Sequence, residues 1–268
     1  MTPLFRSDDV IRWALRAFVA LIVLFLLAPI LIVIPISFSS AKYLTFPPPG
    51  FSLQWYAEIV DRPEWMRAFW VSFKVAAVCV VLSLSLGIPA SFALVRARFR
   101  LTPAFYALIL SPMLLPSVVV GLGLFFLFSK FGLTGSIGGI ALGQTVVIMP
   151  IVVVIITSTL QGFDRRLEQA ALIFGASPLQ TFRLITLPLI APAIVSAALF
   201  VLLLSLDDLL ITLFLSSPST ATLSIAIWNN TTMQISPVIA AVSVCLLGIS
   251  VVVLTLISVL RRSPQTKA

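Results

Sequence analysis

The chain has 268 residues, of which 60% are hydrophobic and 10% charged, with mean hydropathy +1.17 and a formal charge of +8. Soluble domains carry about 25% charged residues, so this composition excludes one and requires a polytopic membrane protein. The basic excess does not imply nucleic acid, because Lys and Arg fall in short clusters between apolar runs and form no single patch.

Arg6, Arg12 and Arg16 precede the first apolar run, 17–38. That run is too long for a signal-peptide core and ends in no small-residue cleavage site, so it reads as an uncleaved span carrying Pro29 and Pro35. Residues 39–67 are polar and aromatic. Pro47, Pro48, Pro49 and Gly50 make an extended or turning segment, and Trp55, Tyr56 and Trp65 suit a membrane interface, as in an external loop. A second span covers 68–95, with Lys74 near its outer end placed to snorkel. Arg96, Arg98 and Arg100 follow as a basic inner loop. The third span, 103–129, is interrupted early by Pro112 and Pro116 and leads to a glycine-rich outer turn at 130–138. Gln144, Thr145 and Pro150 in the fourth span, 139–160, read as packing and kink features.

The segment 164–188 reads as two short helices with a break between them. Leu167, Ala170, Ala171 and Phe174 form an apolar stripe at helical spacing, Asp164 can cap its start, and Gly175 stands where a left-handed residue closes a helix. Ser177, Pro178 and Gln180 then have the order of a capping box, and Pro188 is expected to stop the second helix. Such a pair exposes apolar surface that a partner would cover.

The fifth span, 191–215, holds Asp207 and Asp208. Carboxylates at membrane depth cost several kcal/mol each and mark function by default. Adjacent helical residues point about 100° apart, so one site can hardly use both unless the helix breaks. Ser205 and Asp208 have capping-box spacing, which leaves a helix restart open beside a role in the substrate path; Asp208 is the favoured path residue. A Ser-, Thr- and Asn-rich segment at 216–237 reads as external or re-entrant, and the sixth span, 238–260, is closed by Arg261 and Arg262. Each span has the roughly 20 residues a bilayer requires.

The expected fold is therefore all-α, a single six-span domain across residues 1–268. Twelve of the seventeen basic residues (Arg6, Arg12, Arg16, Arg96, Arg98, Arg100, Arg165, Arg166, Arg183, Arg261, Arg262 and Lys267) fall on the face holding the termini and 164–188, which makes that face cytoplasmic.

The missing chemistry is equally informative. Without histidine there is neither a Ser-His-Asp set nor a histidine metal site, and Cys79 and Cys245 lie in apolar runs as free thiols. No metal-ligand spacing occurs. Gly135, Gly138 and Gly139 have no lysine behind them, so they form no nucleotide cradle. A transport component powered by another subunit fits. A secondary transporter is the alternative, but the halves show no repeat and Asp207 with Asp208 is a thin relay.

Gln169-Ala170-Ala171, then Gly175, Ile185, Leu187 and Pro188 resemble the Glu-Ala-Ala loop of membrane subunits of ATP-binding-cassette importers. Every spacing is kept; Gln169 stands at the family's glutamate, and Glu168 lies one residue earlier. The resemblance implies that 164–188 is a cytoplasmic coupling helix pair docking on an ATPase through Glu168, Gln169, Ala170, Ala171, Gly175, Ser177 and Pro188. It further implies a second homologous or identical permease, two ATPase subunits and an external solute-binding protein, in a bacterial inner membrane. ATP would be bound by the ATPases, leaving this chain without cofactor, metal or enzymatic activity of its own. Ser205-Leu206-Asp207-Asp208, with Ile211, Thr212 and Phe214 after it, resembles the spermidine/putrescine permeases, although Thr222-Leu223-Ser224 replaces their Thr-Leu-Pro. A polyamine or related small cation is thereby implied as substrate, with another small solute such as an amino-acid derivative as the alternative.

Overall fold

The computed structural model describes residues 7–97, 100–233 and 236–261; Arg6, Arg98, Arg262 and Lys267 of the basic face lie outside them. The described residues form no strand, only one antiparallel bridge between Ser39 and Phe51. Among the described residues the first six α-helices are α1 Ser7–Ser37, α2 Gln54–Asp61, α3 Pro63–Arg96, α4 Thr102–Leu114, α5 Ser117–Lys130 and α6 Ile137–Gln161. Then come α7 Arg166–Ile173, α8 Pro178–Thr181, α9 Leu187–Asp207, α10 Leu210–Leu215, α11 Leu223–Met233 and α12 Val238–Arg261. A π-helical segment, Phe182–Thr186, joins α8 to α9.

Among the described residues, five stretches are long and apolar enough to cross a bilayer alone: 11–37, 63–96, 137–161, 178–207 and 238–259. A sixth span is formed if α4 and α5, bent by 101°, count together. The third predicted span is thus broken, not merely kinked. Pro116 donates no backbone hydrogen bond, and its ring drives Leu115 out of helical geometry to φ −88°, ψ 147°.

Pro188 departs from expectation in the opposite sense. It does not stop the helix, because it sits in the first turn of α9. Just upstream the backbone widens: the Leu187 N–H reaches back five residues to the Phe182 carbonyl. A π-turn opens the spacing that a proline ring would otherwise violate against the carbonyl four residues earlier. The fifth span therefore begins at Pro178, well before the predicted start. It ends at Asp207, where α9 breaks, with α10 following after two residues. Two helices, α2 and α11, lie in stretches whose polar composition suggested loops.

The molecule divides into two units, Met1–Arg62 with Asn230–Leu247, and Pro63–Asn229 with Gly248–Ala268. In the first, α1 keeps its apolar surface unburied, as a lipid-facing helix does. The loop after it is tied by the Trp55 Nε1–H donating to the Ser39 carbonyl at 2.7 Å and by Ser37 and Tyr56 hydroxyls 2.8 Å apart. In the second, α3 runs along α6, both meet α9, and α10 folds back on α5 and α6. Glycine allows close approach there: a Cβ at Gly143 would lie 2.3 Å from the Leu215 Cδ1, and one at Gly121 2.6 Å from the Phe214 ring, so either side chain would have to move.

Candidate functional site

Two regions of the second unit carry the candidate residues. The first is the loop 164–188. The Asp164 Oδ1 accepts from the Arg166 N–H at 2.9 Å, so it opens α7, although the helix begins one residue later than the capping position predicts. Gly175 closes α7 at φ +87°. Around it the Ala176 N–H donates to the Ala171 carbonyl and the Gly175 N–H to the Leu172 carbonyl, a pair of bonds that ends the helix and turns the chain. The capping box forms as expected: the Ser177 Oγ accepts from the Gln180 N–H at 3.3 Å, and the Gln180 Oε1 accepts from the Ser177 N–H at 2.8 Å. Pro178 occupies the first turn that follows.

These caps hold an apolar surface out of the molecule. Ile173 is 82% exposed, Phe174 90% and Leu179 75%, with Leu184 beside them on the π-helical segment. Gln169 and Ala170 are exposed, and Ala171 is half-buried. Glu168 faces inward. Its Oε1 accepts from the Arg96 guanidinium at 2.6 Å and from the Thr186 hydroxyl. Pro188 lies beyond this surface, in α9.

The second region is the break between α9 and α10. Asp208 has extended backbone, φ −66°, ψ 118°, which ends α9. Its Oδ2 accepts from the Thr212 N–H at 3.0 Å, the Thr212 hydroxyl at 2.9 Å and the Gln144 amide at 3.2 Å. Asp208 therefore restarts the helix through Thr212, and the predicted box with Ser205 does not form. Ser205 instead donates to the Gln144 Oε1 at 2.5 Å, and the Gln144 amide also reaches the Ser205 carbonyl and the Thr212 hydroxyl. Gln144 is fully buried and joins α6, α9 and α10 at one point. Sequence spacing concealed this hub, since Gln144 and Asp208 are 64 residues apart. The available signal was a lone amide inside a span.

Asp207 is exposed and has no hydrogen-bond or ion-pair partner among the described residues. It borders a cavity of about 480 Å³ whose lining is mostly apolar, including Pro112, Met113, Ile148 and Leu204, with Ser117 and the hydrogen-bonded Asp208 as its other polar residues. Proline-broken α4 and the broken α9–α10 junction thus meet around one free carboxylate. Such a site can hold a cationic group by charge and a hydrocarbon chain by contact, and no cluster of metal-ligating residues occurs among the described residues.

The family described as binding-protein-dependent transport system inner membrane component matches residues 80–264. The putrescine transport system permease protein PotI of Escherichia coli is 37% identical over 233 residues, 84% of this chain and 82% of that protein. The spermidine/putrescine transport system permease protein PotC of Haemophilus influenzae is 30% identical over 253 residues, 94% of this chain and 98% of that one. A bacterial ABC transporter involved in the import of the acidic polysaccharide alginate shares the fold, with TM-score 0.71 at 17% identity over 99% of this chain and 100% of that one. With the helical permease fold and the spaced loop motif, these matches make the chain a member of the binding-protein-dependent transport inner membrane family, a permease subunit of an ATP-binding-cassette importer.

Proposed function

We propose that this permease imports a polyamine, putrescine or spermidine, and that Asp207 is the acidic group its substrate meets in the membrane. The observation that carries this is the unpartnered Asp207 carboxylate on a cavity otherwise mostly apolar. A linear polyamine presents ammonium groups separated by methylenes, which matches one carboxylate set among apolar side chains. Charge attraction is stronger in the low dielectric of such a site than in water. The similarity to the putrescine permease PotI and the spermidine/putrescine permease PotC supports the same substrate class.

The assembly contains a second permease, two ATPase subunits and an external binding protein, with ATP bound by the ATPases and no cofactor on this chain. The exposed Ile173, Phe174 and Leu179 surface, with Gln169, docks on an ATPase subunit, and the capped Gly175 turn sets its shape. Closure of the ATPase pair carries the two permease loops together, and the spans rock to open the path outward. Both termini and the 164–188 loop face the cytoplasm.

Uptake of radiolabelled putrescine and spermidine by the reconstituted transporter tests the substrate reading. Asp207→Asn removes the charge at constant shape and is expected to lower uptake roughly ten- to one-hundredfold, the size of a lost charge-assisted hydrogen bond. Asp208→Asn keeps an oxygen for Thr212 and Gln144 and should transport near normally. Full uptake by Asp207→Asn would remove the cation role and reopen the other small solutes.

A further inference from the structure

The acidic residue that the coupling loop keeps, Glu168, points away from the surface on which a partner would dock. Gln169 is exposed, while the Glu168 side chain is 14% accessible and its Oε1 takes bonds from two other elements. One donor is Arg96, on the last turn of α3; the other is the fully buried Thr186 in the π-helical segment that leads into α9. Further contacts join the same three elements. The Arg96 guanidinium lies 4.7 Å over the Phe92 ring, and Phe92 meets Phe182 edge-on at 5.6 Å. Beside them Arg165 donates to the Val95 carbonyl at 2.9 Å.

The loop is therefore fastened to the end of α3 by charge, not only continued into α9 by chain. Helix α3 has its most extensive packing against α6, and α6 carries Gln144, which holds the helix break beside Asp207. We infer that the Arg96–Glu168–Thr186 cluster is an internal strut that passes movement of the coupling helices to α3, with Glu168 a positioning residue and not a docking contact. The inference rests on the reading of 164–188 as the ATPase-docking loop. A route between sites is established only by measured energetic coupling.

A double-mutant cycle on the complete transporter, purified with its ATPase subunits, supplies that measurement. Glu168→Gln, Arg96→Gln and the double variant are compared for retained ATPase, ATP hydrolysis and uptake per ATP, each normalised to the amount of complex in the membrane. Each single variant is expected to retain its ATPase and hydrolyse ATP while uptake per ATP falls about tenfold, within the usual range of coupling between sites. The double variant should be no worse than either single one. Arg96→Lys, which keeps the charge, should transport more per ATP than Arg96→Gln; it keeps the test open if Glu168→Gln inserts poorly.

Uptake per ATP unchanged in either single variant overturns the strut, as do additive losses or an Arg96→Lys defect equal to Arg96→Gln. Loss of the ATPase from Glu168→Gln also overturns it, by assigning Glu168 to the docking surface. Phe174→Ser separates the underlying reading. If that variant holds its ATPase as tightly as wild type, the docking assignment itself fails and the strut with it. Loss of the ATPase from Phe174→Ser together with additive losses in the cycle overturns the strut alone.

Discussion

At Asp208 one carboxylate oxygen receives three hydrogen bonds, while Asp207 beside it receives none among the described residues. Both acids line the same cavity, but the end of α9 separates their bonding, which is why Asp207 is the proposed path residue although sequence spacing favoured Asp208. Gln144 is the residue on which that separation depends. Gln144→Leu keeps the bulk but removes donors to Asp208, Thr212 and the Ser205 carbonyl, and leaves the buried Ser205 hydroxyl without its acceptor. Leaving buried polar groups unpaired costs about 1–3 kcal/mol, so thermal unfolding in detergent should show a lowered midpoint. Gln144→Glu should also lower the midpoint, because it removes the amide that bonds Asp208, Thr212 and the Ser205 carbonyl together. Both acids were legible in the sequence as costly groups at membrane depth, whereas their division of labour was not. It depends on a side chain from another helix, and no local spacing encodes that.

Among the elements, α7 and α8 show the closest agreement between sequence and structure, because their ends are set by local chemistry. Ser177 and Gln180 cap each other, and Gly175 takes the left-handed conformation that closes a helix. A Cβ added at Gly175 would meet no atom within 4 Å, so the penalty for substitution is purely one of backbone conformation. Alanine should cost roughly 1 kcal/mol there, valine more, and asparagine least, since its short polar side chain tolerates this region. ATPase retention and uptake should therefore fall in the order Gly, Asn, Ala, Val while the permease still inserts. Equal retention across the series would separate Gly175 from docking. The prolines were harder to read, because the ring rule is local but its outcome is not. Pro116 ends a helix because Leu115 becomes extended, whereas Pro188 is absorbed by a π-turn whose Thr186 is anchored to Glu168. Both α2 and α11 escaped the sequence reading because their polar composition masks short helices whose burial comes from neighbours. Trp55 on α2 is held by Ser39, and the Leu223 N–H opening α11 is held by Ser72.

For the whole molecule the remaining question is orientation, and charge decides it before any helix packs. Basic residues resist transfer across the membrane, so the segments carrying Arg12, Arg16, Arg96, Arg100, Arg165, Arg166 and Arg183 are each expected to stay inside. With that orientation the exposed Phe174 surface is expected on the side where ATP is. Thiol labelling tests this directly, provided the native thiols are first replaced, since Cys79 is buried but Cys245 is exposed on α12. In that background a single cysteine at Ser177, which is exposed at the start of α8, should resist an impermeant maleimide in intact cells and react once the membrane is opened. A cysteine at Ser7, where α1 begins, should behave the same way. Ser219, exposed in the turn between α10 and α11, should react in intact cells, because it lies past the outer end of the fifth span. Labelling at Ser177 from outside, with Ser219 protected, would invert the molecule. The apolar surface would then stand on the side without ATP, and the docking role of 164–188 could not hold.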